Sequence, residues 1–177
     1  QYRCVISAVG AASPATTNAV VLTVQRTFTI TTQPSNVTAN EGTTATFTVA
    51  TSTSSGTATY QWEKSDDGGA NYSNVSGGAT NANYITPTLV FADDNLDRYR
   101  VVASLVGAAA SITSTHGELT VLRVITISTQ PNSTAVIEGS TGTFTILASI
   151  TCRVLSYQWL KSTNSGANWT NINGANS

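Results

Sequence analysis

The sequence predicts an all-β chain of antiparallel β-sandwiches, and three observations carry that prediction. The first is a gap-free internal repeat. Gln33-Pro34 recurs as Gln130-Pro131 (130 − 33 = 97), Glu41-Gly42 as Glu138-Gly139, and Tyr60-Gln61-Trp62 as Tyr157-Gln158-Trp159. Laid over 98–177, residues 1–80 give 35 identical pairs in 80 with no insertion. The second is composition: Thr, Ser, Asn, Ala and Val dominate, and charged residues are only 10%. That mix favours strands and turns over helices. The third is spacing, with short alternating runs punctuated by turn residues about every 8–12 positions, the rhythm of a sandwich.

Taken in order, Phe28-Thr-Ile30-Thr alternates and stops at Gln33-Pro34, which predicts a first strand ended by proline. Glu41-Gly42 is a turn. Ala45, Phe47 and Val49 alternate with threonines, a half-buried strand, and Ser52 to Gly56 is a polar turn. Thr59 to Lys64 is the next strand, with Tyr60 and Trp62 on one face and Gln61 and Glu63 on the other. Asp66-Asp67-Gly68-Gly69 supplies residues that tolerate positive φ, a hairpin signal. A short strand follows over Tyr72 to Val75, and another over Tyr84 to Phe91, where Pro87 argues for an edge or bulge. Asp93-Asp94-Asn95 is a turn, and Arg98 to Leu105 and Ser111 to Leu122 are the last two strands.

The repeat phase sets the expected domains. Residues 26–122 form one complete unit, of a size suited to a small domain. Residues 1–25 match its end (98–122), residues 123–177 match its beginning (26–80), and positions 81–97 have no counterpart. The expectation is a stretch cut from a longer tandem array. The junction Leu119 to Ile125 has no Gly, Ser or Pro linker, so a continuous strand and a stiff rod are expected there.

The central unit resembles the immunoglobulin fold. Phe47 and Val49 are followed after 13 residues (62 − 49) by Trp62, and then by Tyr99 and Val101 in the run Asp94-Asn95-Leu96-Asp97-Arg98-Tyr99-Arg100-Val101. The resemblance implies strand B, the buried Trp of strand C, and the tyrosine corner before strand F. It places residues 1–25 as strands F–G of one domain and 123–177 as strands A–C′ of another. The expected core is Phe47, Val49, Trp62, Tyr99 and Val101, with Phe144, Ile146 and Trp159 as repeat mates. The family's bridge positions fall on Val49 and Val101, so no disulfide is expected in the central unit. A closer likeness is to a bacterial and bacteriophage subset with a Tyr-Gln-Trp-x-x-Ser-x-Asp-Gly-Gly-x-x-Trp pattern and a later Asp-Asn-Gly-x-x-Tyr-Arg-Cys pattern. This chain departs from the second at Leu96 and Val101. That likeness implies tandem immunoglobulin-like sandwiches used as display modules of a virion fibre, tail or head decoration, aiding attachment to a host surface. Alternatives are the stalk of a bacterial cell-surface adhesin and the accessory array of a secreted glycan-active enzyme. Implied partners are other copies, neighbouring structural proteins of the particle and host-surface glycans, at a virion or cell surface.

No chemistry is expected. Net charge is −1 with no basic patch, which excludes the footprint of a nucleic-acid binder. No run approaches the roughly 18 apolar residues of a membrane helix. The only histidine, His116, has Ala19 as its repeat mate and reads as a surface residue rather than a triad member. Asp93-x-Asn95-x-Asp97 begins like a calcium loop, but Arg98 stands where Gly belongs, so a solvated turn pairing Asp97 with Arg98 or Arg100 is expected. Lys64 and Lys161 share the tryptophan parity and read as snorkelling side chains. Cys4 and Cys152 occupy different repeat positions and read as free thiols. No cofactor, metal or catalytic residue is expected. Tyr72 and Trp169 share one repeat position after the glycine turn; they are the candidate surface aromatics for sugar stacking, against a bland role covering the core edge.

Overall fold

The computed structural model describes residues 1–77 and 79–174. The chain runs β1 (Val5–Ile6), β2 (Ala15–Thr16), β3 (Phe28–Thr32), β4 (Val37–Asn40), β5 (Thr46–Thr48) and β6 (Ala50–Thr53). It continues through β7 (Thr59–Ser65), β8 (Ser73–Asn74), β9 (Asn83–Ile85), a helical turn α1 (Phe91–Asp94), β10 (Arg98–Ser104), β11 (Ile112–Thr113) and β12 (Gly117–Leu122). Last come β13 (Thr126–Thr129), β14 (Leu147–Ser149), β15 (Leu160–Lys161) and β16 (Thr170–Asn171).

Two compact units are present. The first comprises Gln1–Asn36, Thr46–Tyr84 and Arg98–Glu118. Here β7 lies antiparallel to β10 along seven consecutive pairs, from Arg98↔Ser65 to Ser104↔Thr59. β3 pairs antiparallel with β6, and β7 pairs with β8. The core is aromatic. Phe47 of β5 stacks on Tyr99 of β10 (centroids 4.6 Å apart), and Trp62 of β7 lies 6.4 Å from Phe47 and 6.1 Å from Tyr84. Phe47, Val49, Trp62, Tyr99 and Val101 are all buried. Alternation produces this, because each strand turns one face inward. The second unit comprises Val37–Ala45, Ile85–Asp97 and Leu119–Ser177. In it Leu119 to Leu122 runs parallel to Val37 to Asn40, and Leu89, Leu119 and Val121 are buried.

Within the first unit β10, β7 and β8 are neighbours in one sheet, with β3-β6 as a separate pair. The initial strand region splits at Gln33-Pro34. β3 joins β6, whereas β4 joins the last strand in parallel. Proline has no N–H for a ladder, which makes it a natural switch point. A Trp-bearing strand beside the tyrosine-bearing strand, with a second layer packed on both, is the immunoglobulin-like β-sandwich.

The 97-residue repeat is also a repeat of register. Val5↔Thr16 and Ile6↔Ala15 reproduce Val102↔Thr113 and Ala103↔Ile112. Thr126↔Ser149 and Ile127↔Ala148 reproduce Thr29↔Ser52 and Ile30↔Thr51, including the irregularity that follows. Leu160↔Asn171 and Lys161↔Thr170 reproduce Glu63↔Asn74 and Lys64↔Ser73. The Phe144–Trp159 ring separation is 6.3 Å, against 6.4 Å for Phe47–Trp62.

Several expectations differ from the structure. The strand expected over 84–91 ends at Ile85; Pro87 cannot donate to a ladder, and Phe91–Asp94 winds into one helical turn. The continuous strand expected at the junction is interrupted at 123–125. Arg123 there lays its guanidinium over the Phe91 ring at 3.4 Å. Asp97 is not a solvated turn residue. It is 2% exposed, because it shares the inward parity of Tyr99 and Val101. Phe144 is 54% exposed, and Ile146 and Trp159 are half-buried. In the first unit Tyr99 stacks on Phe47 and covers it.

Leu96 carries a signal of its own. Its φ is +73°, in the left-handed region that a β-carbon disfavours, and its N–H donates to Leu119 O at 2.8 Å. The bacterial and phage pattern has Gly at this position. Leu96 is 56% exposed, so replacing it forfeits little burial. Leu96→Gly is expected to stabilise by about 0.5–1 kcal/mol, the relief of left-handed strain less the entropy of glycine. Urea denaturation checks this, and a loss of stability would show that the leucine side chain is held by packing.

Candidate binding surface

The candidate site is the outward face of β7, β10 and the hairpin between β7 and β8, all within the first unit. Strand parity builds it: while Trp62, Tyr99 and Val101 turn inward, Glu63, Arg98 and Arg100 turn outward. Arg100 Nε donates to Glu63 Oε2 at 2.7 Å, and Arg98 Nη2 lies 3.0 Å from Glu118 Oε2. Both pairs are partly exposed, so each contributes little to stability, within about 1 kcal/mol. They fix the guanidinium planes instead. The Arg100 guanidinium lies 3.7 Å from the centroid of the Tyr72 ring, a cation–π contact. Arg98 also donates from Nη1 to Gly68 O, tying the hairpin tip to the sheet.

The hairpin is ordered from within. Ser65 Oγ donates to Asp67 Oδ1 at 2.7 Å and accepts the Gly69 N–H at 2.8 Å. Asp67 accepts from the Asn71 backbone N–H (2.9 Å) and from Asn71 Nδ2 (2.7 Å). These donors, led by the Asn71 backbone N–H, hold the Asp67 carboxyl well below the usual carboxylate range. The same network recurs one repeat later. Gly166 N–H donates to Ser162 Oγ at 2.8 Å, and Asn168 N–H to Asn164 Oδ1 at 2.9 Å. Ser165 there adopts φ +58°, where Gly68 has +75°.

A depressed folded pKa means the carboxylate contributes stability that is complete above its ordinary pKa and is lost as pH falls toward the folded value. Thermal midpoints measured from pH 5 down to pH 2 should therefore fall. Asp67→Asn, which copies Asn164, should keep the fold and flatten that slope. An unchanged slope would show that Asp67 does not drive the acid response.

The candidate aromatics differ in setting. Tyr72 is half-buried with one face taken by Arg100, whereas Trp169 is 60% exposed. His116 is exposed on the first unit. Cys4 and Cys152 are free and exposed. Among the described residues no group of three or more His, Cys, Asp or Glu is placed to hold a metal, and no helix is long and apolar enough to cross a membrane. The arginine–glutamate pairs and the strain at Leu96 were missed in sequence. The outward alternation of Arg98 and Arg100 was the available signal for the pairs.

Residues 29–123 match a family described as Domain of unknown function (DUF8696). The chain belongs to that family. No curated protein sequence matches it. Among solved structures, it is similar to a chimeric titin Z1Z2 functionalized with an exogenous decorin peptide. That match has 25% identity and a TM-score of 0.38, covering 58% of this chain and 98% of the other. It is also similar to Sidekick-1 immunoglobulin domains 1–5, at 18% identity and a TM-score of 0.39 over 67% of this chain and 24% of that one. A third is the N-terminal Ig1-2 module of the Drosophila receptor protein tyrosine phosphatase DLAR. It shows 19% identity and a TM-score of 0.39, over 59% of this chain and 57% of that module.

Proposed function

We propose that this member of the DUF8696 family is a non-enzymatic structural and display module, used in tandem on a bacteriophage particle to project toward, and weakly hold, a host surface. The observation that carries the reading is the recurrence of register: strand pairs and hairpin bonds 97 residues apart share the same partners. One module, residues 26–122, repeated without change of length is what an array that spaces or multiplies weak sites requires. The phage setting rests on the Tyr-Gln-Trp and Asp-Asn-x-x-x-Tyr-Arg patterns. Trp169, exposed at the repeat position of Tyr72 after the hairpin turn, is the contact favoured for sugars.

The test is binding to bacterial surface glycans by the chain free in solution and by the chain coupled densely to beads. Free chain should bind more weakly than about millimolar, and display should raise apparent affinity by about 10²–10⁴-fold. Trp169→Ala should abolish the gain. Absence of binding in both forms would overturn the attachment role.

A further inference from the structure

We propose that Asn173-Gly174 is a site of spontaneous deamidation, a covalent modification that gives the chain a new carboxylate on the loop after β16. The turn itself installs the reactive pair. Gly174 has φ +75°, in the left-handed region that glycine adopts without penalty. The same turn recurs in the complete module, where Gly77 has φ +84°. Each turn follows a matching strand bond. Ile172 N–H donates to Trp159 O at 2.9 Å, and Val75 N–H to Trp62 O at 3.0 Å. The two turns differ in the residue before the glycine, which is Ser76 in the complete module and Asn173 one repeat later (173 − 76 = 97). Ser76 and Gly77 are exposed although the core of their module is closed, so this turn faces solvent by its place in the fold.

The chemistry needs a carboxamide beside a backbone nitrogen that no β-carbon shields. Asn173-Gly174 is the one Asn-Gly pair in the sequence. The Gly174 nitrogen attacks Cγ of Asn173. The N–Cγ bond forms, the Cγ–Nδ2 bond breaks, and ammonia leaves with the proton of the attacking nitrogen. Water then opens the cyclic imide. Addition at Cγ gives aspartate, and addition at the backbone carbonyl carbon gives isoaspartate, in which the chain runs through the side chain. Either product adds a negative charge. It arises directly after β16, the strand that begins next to Trp169.

The fold selects this pair among similar ones. Asp67-Gly68 could form the same imide with loss of water. Its carboxylate, however, accepts from Ser65 Oγ, the Asn71 N–H and Asn71 Nδ2, and an ionised carboxylate is a poor electrophile. Asn164-Ser165 is held in the same way. Asn164 Oδ1 accepts from Ser162 Oγ at 3.0 Å and from the Asn168 N–H at 2.9 Å. Turning either side chain onto the next nitrogen breaks those bonds. Among the described residues, none is hydrogen-bonded to the Asn173 carboxamide or to the Gly174 N–H.

Ion exchange of the whole chain, held in mildly alkaline buffer, tests the proposal. A species with one added negative charge should accumulate, and ammonia release should match it. Peptide mapping should place the change at Asn173. An isoaspartyl methyltransferase with labelled S-adenosylmethionine should label the same peptide. Gly174→Ala should slow the reaction by at least about tenfold, because its β-carbon shields the nitrogen. Asn173→Ser, which copies the complete module, should abolish it. Ser76→Asn should create a second site of comparable rate before Gly77. In urea, Asn164 and Asp67 should also begin to react, because the bonds that hold them are lost. A chain whose charge stays constant would overturn the proposal, as would an equal rate at Asn164 in the folded chain. An unaltered rate in Gly174→Ala, or an inert Ser76→Asn, would do the same.

Discussion

Trp62→Ala is expected to destabilise the central sandwich by about 3–5 kcal/mol, the range for deleting a large buried aromatic. The indole is fully buried, tilts against Phe47 and Tyr84, and donates from Nε1 to Asn81 O at 2.9 Å. Truncation removes the apolar burial, leaves a cavity between the layers, and orphans the Asn81 carbonyl. Domains of this size are stable by only about 5–15 kcal/mol, so the variant should sit near the edge of folding. Denaturant unfolding followed by near-UV circular dichroism measures the difference. A loss below about 1 kcal/mol would show that Trp62 is not the keystone of the core. A second readout is quenching of Trp62 fluorescence in a chain carrying Trp159→Phe and Trp169→Phe, which should be slow.

Gly117→Val is expected to cost about 3 kcal/mol or more, the upper end of overpacking penalties. A β-carbon on Gly117 would lie 2.3 Å from Ser35 O, 2.9 Å from Ser35 C and 3.1 Å from Phe47 Cδ1. Two of those atoms are backbone, so the first-strand segment must move. The glycine also sits at Tyr99↔Gly117, beside the aromatic stack. Gly117→Ala should carry most of the penalty, since the first added carbon makes the clash. The chain supplies its own control. Val20 holds the same repeat position, pairs with Tyr2 in the same way, and is 64% exposed, so Val20→Ala should be close to neutral. Equal effects at the two positions would contradict the close approach of Ser35.

Phe47, Trp62, Tyr99 and Val101 were legible because burial in a half-buried strand follows alternation, a local property. The same alternation marks Phe144 as apolar, but whether it is covered depends on strands far along the chain. Asp97 was misread because turn composition suggested solvent, while its parity with Tyr99 turned it inward. The helical turn at Phe91 has only four residues and carries no period. Gly117 looked like an ordinary strand residue, because the approach of Ser35 spans 82 positions (117 − 35) and leaves no local trace. The site followed the same rule. Tyr72 was readable as an aromatic after a glycine turn, but the Arg100 over its face required the register of β7 on β10.

The central claim is that one module is built repeatedly in one register, and backbone NOEs across strand pairs test it most directly. In solution NMR of the whole chain, cross-strand contacts are expected at Val5↔Thr16 and Lys161↔Thr170, matching those at Val102↔Thr113 and Lys64↔Ser73. A one-residue slip would turn every side chain of a strand to its other face, so register is a sharp criterion. Matching contacts in all four pairs would support the repeated module, and contacts displaced by one residue, or absent from 1–25 and 160–171, would contradict it.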